Sequence, residues 1–202
     1  VLMSGADYFS DQFAINAHMD PKVPVDIEKA KAEHLAIAEA LEHAGIKVIK
    51  VPPPAGCQDG VYTANWGLGR GDKMLLSVLP NKRAAESPYA EKMLQEQGKT
   101  ILKLPEGLRF SGQGDALPCG PYVFVGSNYR TDFRAWPEIE KLLGYEVIGL
   151  QTVPKRTRYG KRVINKETGW PDSYFYDLDL ALAVLRDDLI AYCPEALMPQ
   201  SR

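Results

Sequence analysis

A chain of 202 residues with 45% hydrophobic and 25% charged residues has the composition of one globular domain, and its net charge of −2 argues against a dedicated nucleic-acid binder. No apolar run approaches the ~20 residues that cross a bilayer, and the opening VLMSGADYFS lacks the basic and apolar regions of a secretory signal. Three cysteines without metal-ligand spacing suit a reducing compartment, so we expect a cytoplasmic protein without metal, cofactor, nucleic-acid partner or membrane contact.

The first predicted elements are a short apolar strand, a loop and a helix. Asp26 suits the N-cap of this helix, apolar residues return at helical spacing from Ile27 to His43, and Gly45 ends the pattern. The alternating segment 46–51 then predicts a strand, which a run of three prolines closes. The segment GVYTANWGL (60–68) predicts the strand after that.

From there the order strand, strand, helix, strand recurs at roughly 40-residue spacing, first over 59–104 and then over 109–150. The first 51 residues resemble the same unit without part of its hairpin, and a fourth round begins at 174–193. Repeats of this kind favour a radial or solenoid array whose units cannot each bury an apolar face alone. A doubly wound sheet is the alternative, although it would have one strand per helix instead of three.

Residues 154–172 interrupt this repeat with a basic, turn-rich insertion. The insertion has six Lys or Arg against two acidic residues. Such a charge run is typical of a solvated loop, and an anion or RNA patch is the alternative.

Residues 110–132 carry the strongest candidate site. The sequence FSGQGDALPCGPYVFVGSNYRTD predicts two strands around a Pro-Cys-Gly-Pro turn, with Asp115 preceded by two glycines that allow close approach of a ligand to the backbone. Arg130 and Thr131 lie in a polar cluster after the second strand. The pattern is compatible with a binding site and also with a glycine-rich bulge that has a capping aspartate.

The segments FSGQGDAL, VFVG and Arg130-Thr131 resemble the F-E-G-x-G-D-A-L…G-x-x-R-T block of guanidino-group-modifying enzymes of the pentein fold. These are amidinotransferases, arginine dihydrolases and deiminases, and dimethylarginine dimethylaminohydrolases. Further segments similar to this family cover most of the chain: 3–19, 58–68, 79–87 and 173–197. The resemblance implies an α/β fold, with residues 1–202 forming a single, incomplete pentein-like propeller that is truncated at its C-terminus.

A guanidinium is a planar fork with five donors, so its site needs several acceptor oxygens. The candidate acceptors in this sequence are Asn16, Asp59, Asn65, Asp115, Asp177 and Asp179. Taken singly, each is also compatible with a turn cap or a solvated residue. The resemblance implies that an arginine-like small molecule is bound by Asn16, Asp59, Asn65, Arg83, Asp115, Arg130 and Asp179, with Arg83 suited to its carboxylate.

The family cleaves a C–N bond through a covalent thiouronium intermediate on a C-terminal cysteine, with a histidine as general acid and base and a glutamate that holds it. Here the histidine position is Asp177 and the glutamate position is Ser111, and none of the three cysteines matches the nucleophile. We therefore expect a member of the hydrolase or amidinotransferase family that is inactive as this chain. The alternative is a non-catalytic binding or interaction module, with a homo-oligomer covering the truncated end.

Overall fold

The structure, a computed structural model, describes residues 1–202 apart from the side chain of residue 81. In this described part, ten short strands and three α-helices alternate along the chain, which gives a mixed α/β fold. No helix described here is long and apolar enough to cross a membrane.

Two three-stranded sheets share one design, and both contain the predicted strand, strand, helix, strand order. In the first, β3 (Gly67–Arg70) pairs antiparallel with β4 (Lys73–Leu76), and β5 (Thr100–Leu102) returns parallel to β4 after helix α2 (Glu86–Glu96). The second sheet repeats this arrangement with β6 (Ala116–Cys119), β7 (Tyr122–Val125), helix α3 (Trp136–Leu143) and β8 (Glu146–Gly149). The described residues form no closed sheet, so the radial propeller stays a prediction.

Partial versions of the same unit lie on either side of these two sheets. Near the start, β1 (Leu2–Ser4) and β2 (Ile49–Val51) pair in parallel across helix α1 (Ile27–His43). Later in the chain, β9 (Leu182–Arg186) and β10 (Leu189–Tyr192) form an antiparallel hairpin. The unit boundaries inferred from the sequence repeat therefore agree with the sheet order.

Local signals set the helix ends. Asp26 caps α1, because its side chain accepts a hydrogen bond from the Lys29 N–H at 3.0 Å. At the end of α3, Gly144 adopts a left-handed conformation with φ +72°, and its N–H donates to the Glu140 carbonyl at 2.7 Å. Both helix ends thus follow from residues that the sequence shows.

One prediction of local structure is wrong: the strand expected over 60–68. Thr63–Trp66 instead form a 3₁₀ turn, and the strand begins only at Gly67. Burial gives the physical reason, since the turn places both Asn65 and Trp66 inside the protein, whereas consecutive strand residues point to opposite faces. The turn is therefore what brings Asn65 into the candidate site.

The main core joins the two three-stranded sheets through α3. It consists of fully buried apolar side chains, among them Leu68, Leu75, Phe110, Val123, Val125 and Ile139. Burying each such side chain contributes about 1.5–3 kcal/mol. A further link between the sheets is the Val78 N–H, which donates to the Phe110 carbonyl at 2.8 Å. A second cluster around Leu178 and Leu182 attaches the β9–β10 hairpin.

The basic segment 154–172 folds as two short turns that follow each other. Its bridges pair Arg156 with Arg162 and Ile164 with Pro171. The first of these turns is solvent-exposed, and the Tyr159 side chain at its tip is 73% exposed. The second turn contacts the rest of the protein, because the Asn165 amide donates to the Ala14 carbonyl at 3.0 Å.

Candidate functional site

A cavity of about 670 Å³ opens between the loop of residues 9–25, the turn that carries Asn65, and the segment 176–180. Seven of the nine positions singled out from the sequence line it: Asn16, Asp59, Asn65, Arg83, Arg130, Asp177 and Asp179. The other two are buried: Ser111 contacts the lining residue Asn65, and Asp115 contacts Leu178, the neighbour of Asp177 and Asp179 in the chain. The structure therefore brings together residues that lie up to 163 positions apart in the chain.

Asn65 connects three segments of the cavity wall. Its Nδ2 donates to the Ser111 carbonyl at 3.0 Å, to the Ser111 hydroxyl at 3.1 Å and to Asp177 Oδ2 at 3.0 Å. Its Oδ1 accepts from Arg83 Nη1 at 2.9 Å. Because both ends of the buried amide are used inside the protein, Asn65 orders the acceptors around it.

Arg83 lies deep in the wall, with 2% of the residue exposed, and forms a bidentate ion pair with Glu86. Its Nε donates to Glu86 Oε1 and its Nη2 to Glu86 Oε2, both at 2.8 Å. Glu86 is fully buried and also accepts from the Trp66 indole N–H at 3.2 Å. The sequence argument gave Glu86 no role, although its spacing of three from Arg83 within one helical turn was a signal for the pair.

Arg130 is also paired within the protein. Its Nη1 donates to Asp177 Oδ2 at 3.5 Å, and its Nη2 donates to the Ile15 carbonyl at 3.3 Å. The guanidinium carbon lies 4.0 Å from the centre of the Tyr176 ring, a cation–π contact. Tyr176 faces the cavity too, and burial raises the pKa of its hydroxyl to about 12.

Asp177, which the resemblance aligns with the family's histidine, is 3% exposed. Its Oδ2 is shared by Asn65 and Arg130, whereas its Oδ1 has no hydrogen-bond partner among the described protein atoms. That oxygen is itself buried, and leaving a buried acceptor without a donor costs free energy.

Asp115 is buried behind the cavity, and its Oδ1 accepts from the Leu178 N–H at 2.9 Å. Burial raises the pKa of this carboxyl well above its usual range, and the negative charges of Asp177 and Asp179 add to the effect. Hydrogen bonds from Thr131 and from the Leu178 N–H act in the opposite direction. Asp115 thus connects the glycine-rich turn to the segment that carries the other two aspartates.

We expect Gly126→Ala to lower the free energy of unfolding by about 1–3 kcal/mol, because a side-chain carbon at Gly126 would overlap the Asp115 carboxylate. Urea unfolding measures this change. Gly69→Ala is the matched control in a strand, since its added carbon meets the movable end of Met74 at 3.2 Å and the Lys73 carbonyl oxygen only at an ordinary contact distance of 3.8 Å. Equal stability of the two variants would contradict the close packing of Asp115 against Gly126.

Two further carboxylates face the cavity with raised pKa values. Asp179 is exposed to the cavity, yet the surrounding walls and the nearby Asp177 charge raise its pKa to about 7, against the opposing charge of Arg130. Asp59 is buried, which raises its pKa, while Arg83 and the Gln58 amide at 2.9 Å oppose the shift. Asp179 still contacts solvent, so it is accessible to a ligand, and its raised pKa makes its charge depend on pH near neutrality.

Within the described residues, none of the cysteines lines this cavity. Cys57 and Cys119 are buried, Cys193 is exposed, and burial raises the pKa of the Cys57 thiol. His18 does line the cavity, and its Nε2 lies 2.8 Å from the Tyr174 carbonyl. His18 was not among the predicted site residues, because the resemblance aligns it with an aromatic position of the family.

Comparisons with a family model and with curated proteins agree with the resemblance seen in the sequence. Residues 9–165 match the family model described as N,N dimethylarginine dimethylhydrolase, eukaryotic. The chain is 33% identical over 196 residues to an N(G),N(G)-dimethylarginine dimethylaminohydrolase of Mycobacterium tuberculosis, covering 96% of this chain and 58% of that protein. It is 30% identical over 200 residues to the bifunctional arginine dihydrolase/ornithine cyclodeaminase ArgZ of Synechocystis, covering 97% of this chain and 26% of ArgZ.

Solved structures show the same similarity. The crystal structure of the N-terminal domain of ArgZ bound to product superposes with a TM-score of 0.85 at 28% identity, covering 99% of this chain and 68% of that chain. A variant of AgrE in complex with L-arginine gives a TM-score of 0.84 at 28% identity, covering 99% of this chain and 27% of that one. The chain thus spans 58% of the mycobacterial relative and about a quarter of the bifunctional ones.

Proposed function

The chain belongs to the dimethylarginine dimethylaminohydrolase-like family of guanidino-group-modifying enzymes, and on that premise we propose that its cavity binds the guanidinium group of an arginine-like ligand. The observation that carries this proposal is the set of acceptor residues Asp59, Asp177 and Asp179 in the lining of one cavity. Planar N–H donors of a guanidinium match carboxylate acceptors that converge in this way.

Binding in this open cavity is expected to be weak. An ion pair that stays in contact with water contributes about 0–1 kcal/mol, so two or three such contacts supply about 3 kcal/mol at most, and we expect a dissociation constant in the millimolar range. Asp179, which contacts solvent, fits this description, whereas the buried Asp177 can contribute more.

We also propose that these 202 residues bind without turnover. Asp177 and Ser111 stand where the family has its histidine and its glutamate, and no cysteine of the described chain lines the cavity. A thiolate, a proton carrier and a group that orients it are all required for the covalent route. The cavity then supplies recognition, while any chemistry of the family depends on groups that are not among these lining residues.

We make three further proposals, on the domain, the compartment and the oligomer. Residues 1–202 form a single pentein-like domain whose units are arranged radially, which the repeated sheet design supports. The protein acts in the cytoplasm. A homo-oligomer covers the exposed apolar side chains of the β9–β10 hairpin, such as Leu185 and Leu189.

Isothermal titration of the purified chain with L-arginine and with methylguanidine tests the proposed site. We expect saturable binding of both, and about a two- to fivefold loss for Asp179→Asn, which removes one carboxylate from the cavity. Asp188→Asn is the control, since its carboxylate is 78% exposed and pairs with Arg186 outside the cavity. Equal affinities of the two variants would contradict the site.

The affinity for a guanidinium is expected to rise with pH. Only the ionised carboxylate of Asp179 attracts the cation, and its pKa of about 7 leaves it mostly protonated in weakly acidic solution. Between about pH 6 and about pH 8 the affinity should therefore increase about two- to threefold, since protonated Asp179 resembles the Asn variant. Asp179→Asn should flatten this profile, whereas His18→Gln should keep it, which separates the carboxylate from the cavity histidine.

A further inference from the structure

The ionic groups of the cavity are unevenly balanced. Five aspartates and two arginines line it: Asp11, Asp20, Asp59, Asp177, Asp179, Arg83 and Arg130. A cavity lined mainly by one sign of charge concentrates ions of the other sign. The excess of carboxylates favours cationic ligands. Which cations bind depends on whether the charges of Arg83 and Arg130 are compensated within the protein.

The positive charge of Arg83 is compensated within the protein and is therefore not available to a ligand. Glu86 compensates it through two hydrogen bonds of 2.8 Å, and Asn65 Oδ1 accepts a third at 2.9 Å. Its Nη2 is also within 3.2 Å of the Asp59 carbonyl oxygen. Since Glu86 is fully buried behind the cavity wall, turning Arg83 toward a ligand would leave a buried carboxylate without its partner.

Arg130 is compensated by Asp177, which stands beside it in the same wall. The Asp177 carboxylate accepts from Arg130 Nη1 at 3.5 Å, and it has a second oxygen, Oδ1, that no described protein donor reaches. A ligand carboxylate that approached Arg130 would therefore meet the negative charge of Asp177 as well. The stacking of Arg130 on Tyr176 and its bond to the Ile15 carbonyl further fix the guanidinium in this place.

The other four cavity aspartates lack such compensation. Within the described part of the chain, no Lys or Arg nitrogen lies within ion-pair distance of the Asp11, Asp20, Asp59 or Asp179 carboxylates. Asp11 and Asp20 belong to the loop of residues 9–25, whereas Asp59 and Asp179 belong to two other segments of the lining. Uncompensated carboxylates are thus available to more than one positive charge of the same ligand.

We propose that the cavity selects a carboxylate-free alkyl dication with a guanidinium at one end and an amine at the other, and that Asp177 sets this preference by neutralising Arg130. The proposal rests on the function proposed above and names its ligand class. Like charges placed against each other in an interface oppose binding, so an α-carboxylate is rejected where an uncompensated cation would have accepted it.

Three ligands separate these properties in calorimetric titrations. Agmatine is the dication without a carboxylate, butylguanidine is the matching monocation, and L-arginine adds the carboxylate. In mildly alkaline buffer we expect agmatine to bind about tenfold more tightly than L-arginine, or about 1.4 kcal/mol, with butylguanidine between them.

Each possible result of these titrations contradicts a different part of the proposal. If butylguanidine binds and L-arginine binds as tightly as agmatine, the selectivity is wrong while guanidinium binding stands. If none of the three ligands binds, the proposed function is wrong as well. If diaminobutane binds as tightly as agmatine, the site recognises two amines, and the guanidinium part of the proposal is wrong.

Two variants test the role of Asp177. Asp177→Asn frees the Arg130 charge, so the preference for agmatine over L-arginine should fall by about threefold or more. The double variant Asp177→Asn/Arg130→Gln removes both charges of the pair together, so its preference for agmatine over L-arginine should stay within about twofold of the original chain. An unchanged preference in Asp177→Asn, or a selective loss of L-arginine in the double variant, would overturn the assignment. The double variant keeps the proposal testable if Asp177→Asn fails to fold.

Discussion

Replacing Arg83 with methionine is expected to lower the free energy of unfolding by about 3–5 kcal/mol, because the change leaves the Glu86 carboxylate buried without its cation. Glu86 is fully buried, and its remaining donor, the Trp66 indole N–H at 3.2 Å, does not compensate a full charge. Asn65 loses its Arg83 contact in the same variant, so the ordering of the cavity wall should suffer too. Urea unfolding monitored by tryptophan fluorescence measures the change.

An exposed ion pair gives the matched control for this variant. Lys92 and Glu96 lie 3.8 Å apart on α2 with exposed side chains, so Lys92→Ala should change the stability by about 0.5 kcal/mol or less. The double variant Arg83→Met/Glu86→Leu should regain part of the loss, since it no longer buries a lone charge. If Arg83→Met proved as stable as Lys92→Ala, the buried pair would not be a stabilising feature of the wall.

The chain is also expected to release no ammonia, urea or citrulline above background from arginine, agmatine or methylated arginines. Asp177 accepts from Arg130 and Asn65 through Oδ2, and it does not supply the imidazole that carries a proton to a leaving amine in the family's route. The Ser111 hydroxyl accepts from the Asn65 amide and is uncharged, so it does not orient an imidazole as a glutamate would.

Cys57 provides the control for turnover, because it precedes Asp59 by two residues. Its thiol is buried outside the cavity lining, and burial raises its pKa, which disfavours the nucleophilic thiolate. Product formation that disappears in Cys57→Ala would show that this cysteine reaches the ligand, and would contradict the non-catalytic role proposed for these residues.

Local sequence signals predicted much of the fold. Capping of α1 by Asp26, its end next to Gly45 and the hairpin around the Pro-Cys-Gly-Pro turn all depend on neighbouring residues, so they can be recognised without a structure. The 3₁₀ turn at Thr63–Trp66 could not be recognised from the sequence, because the segment has the composition of a strand. Only the tertiary burial of Asn65 and Trp66 selects the turn.

The candidate site, like the fold, could be predicted from the sequence only in part. The resemblance to a family selected residues that the structure gathers around one cavity, although they are distant in the chain. It could not show how those residues are paired. The bidentate bond between Arg83 and Glu86 and the contact between Arg130 and Asp177 depend on side-chain positions that only the folded chain defines. These pairings, rather than the identities of the residues, decide which charges remain for a ligand.

Amide correlation spectra recorded while agmatine is added test the central claim most directly, because they locate the bound cation and measure its affinity together. The account predicts saturable shifts of the Asn65 side-chain amide and of the backbone amides of Asp177 and Asp179, with much smaller shifts in Asp179→Asn. Saturable shifts confined to the exposed turn around Tyr159, or unchanged spectra at millimolar agmatine, would contradict it.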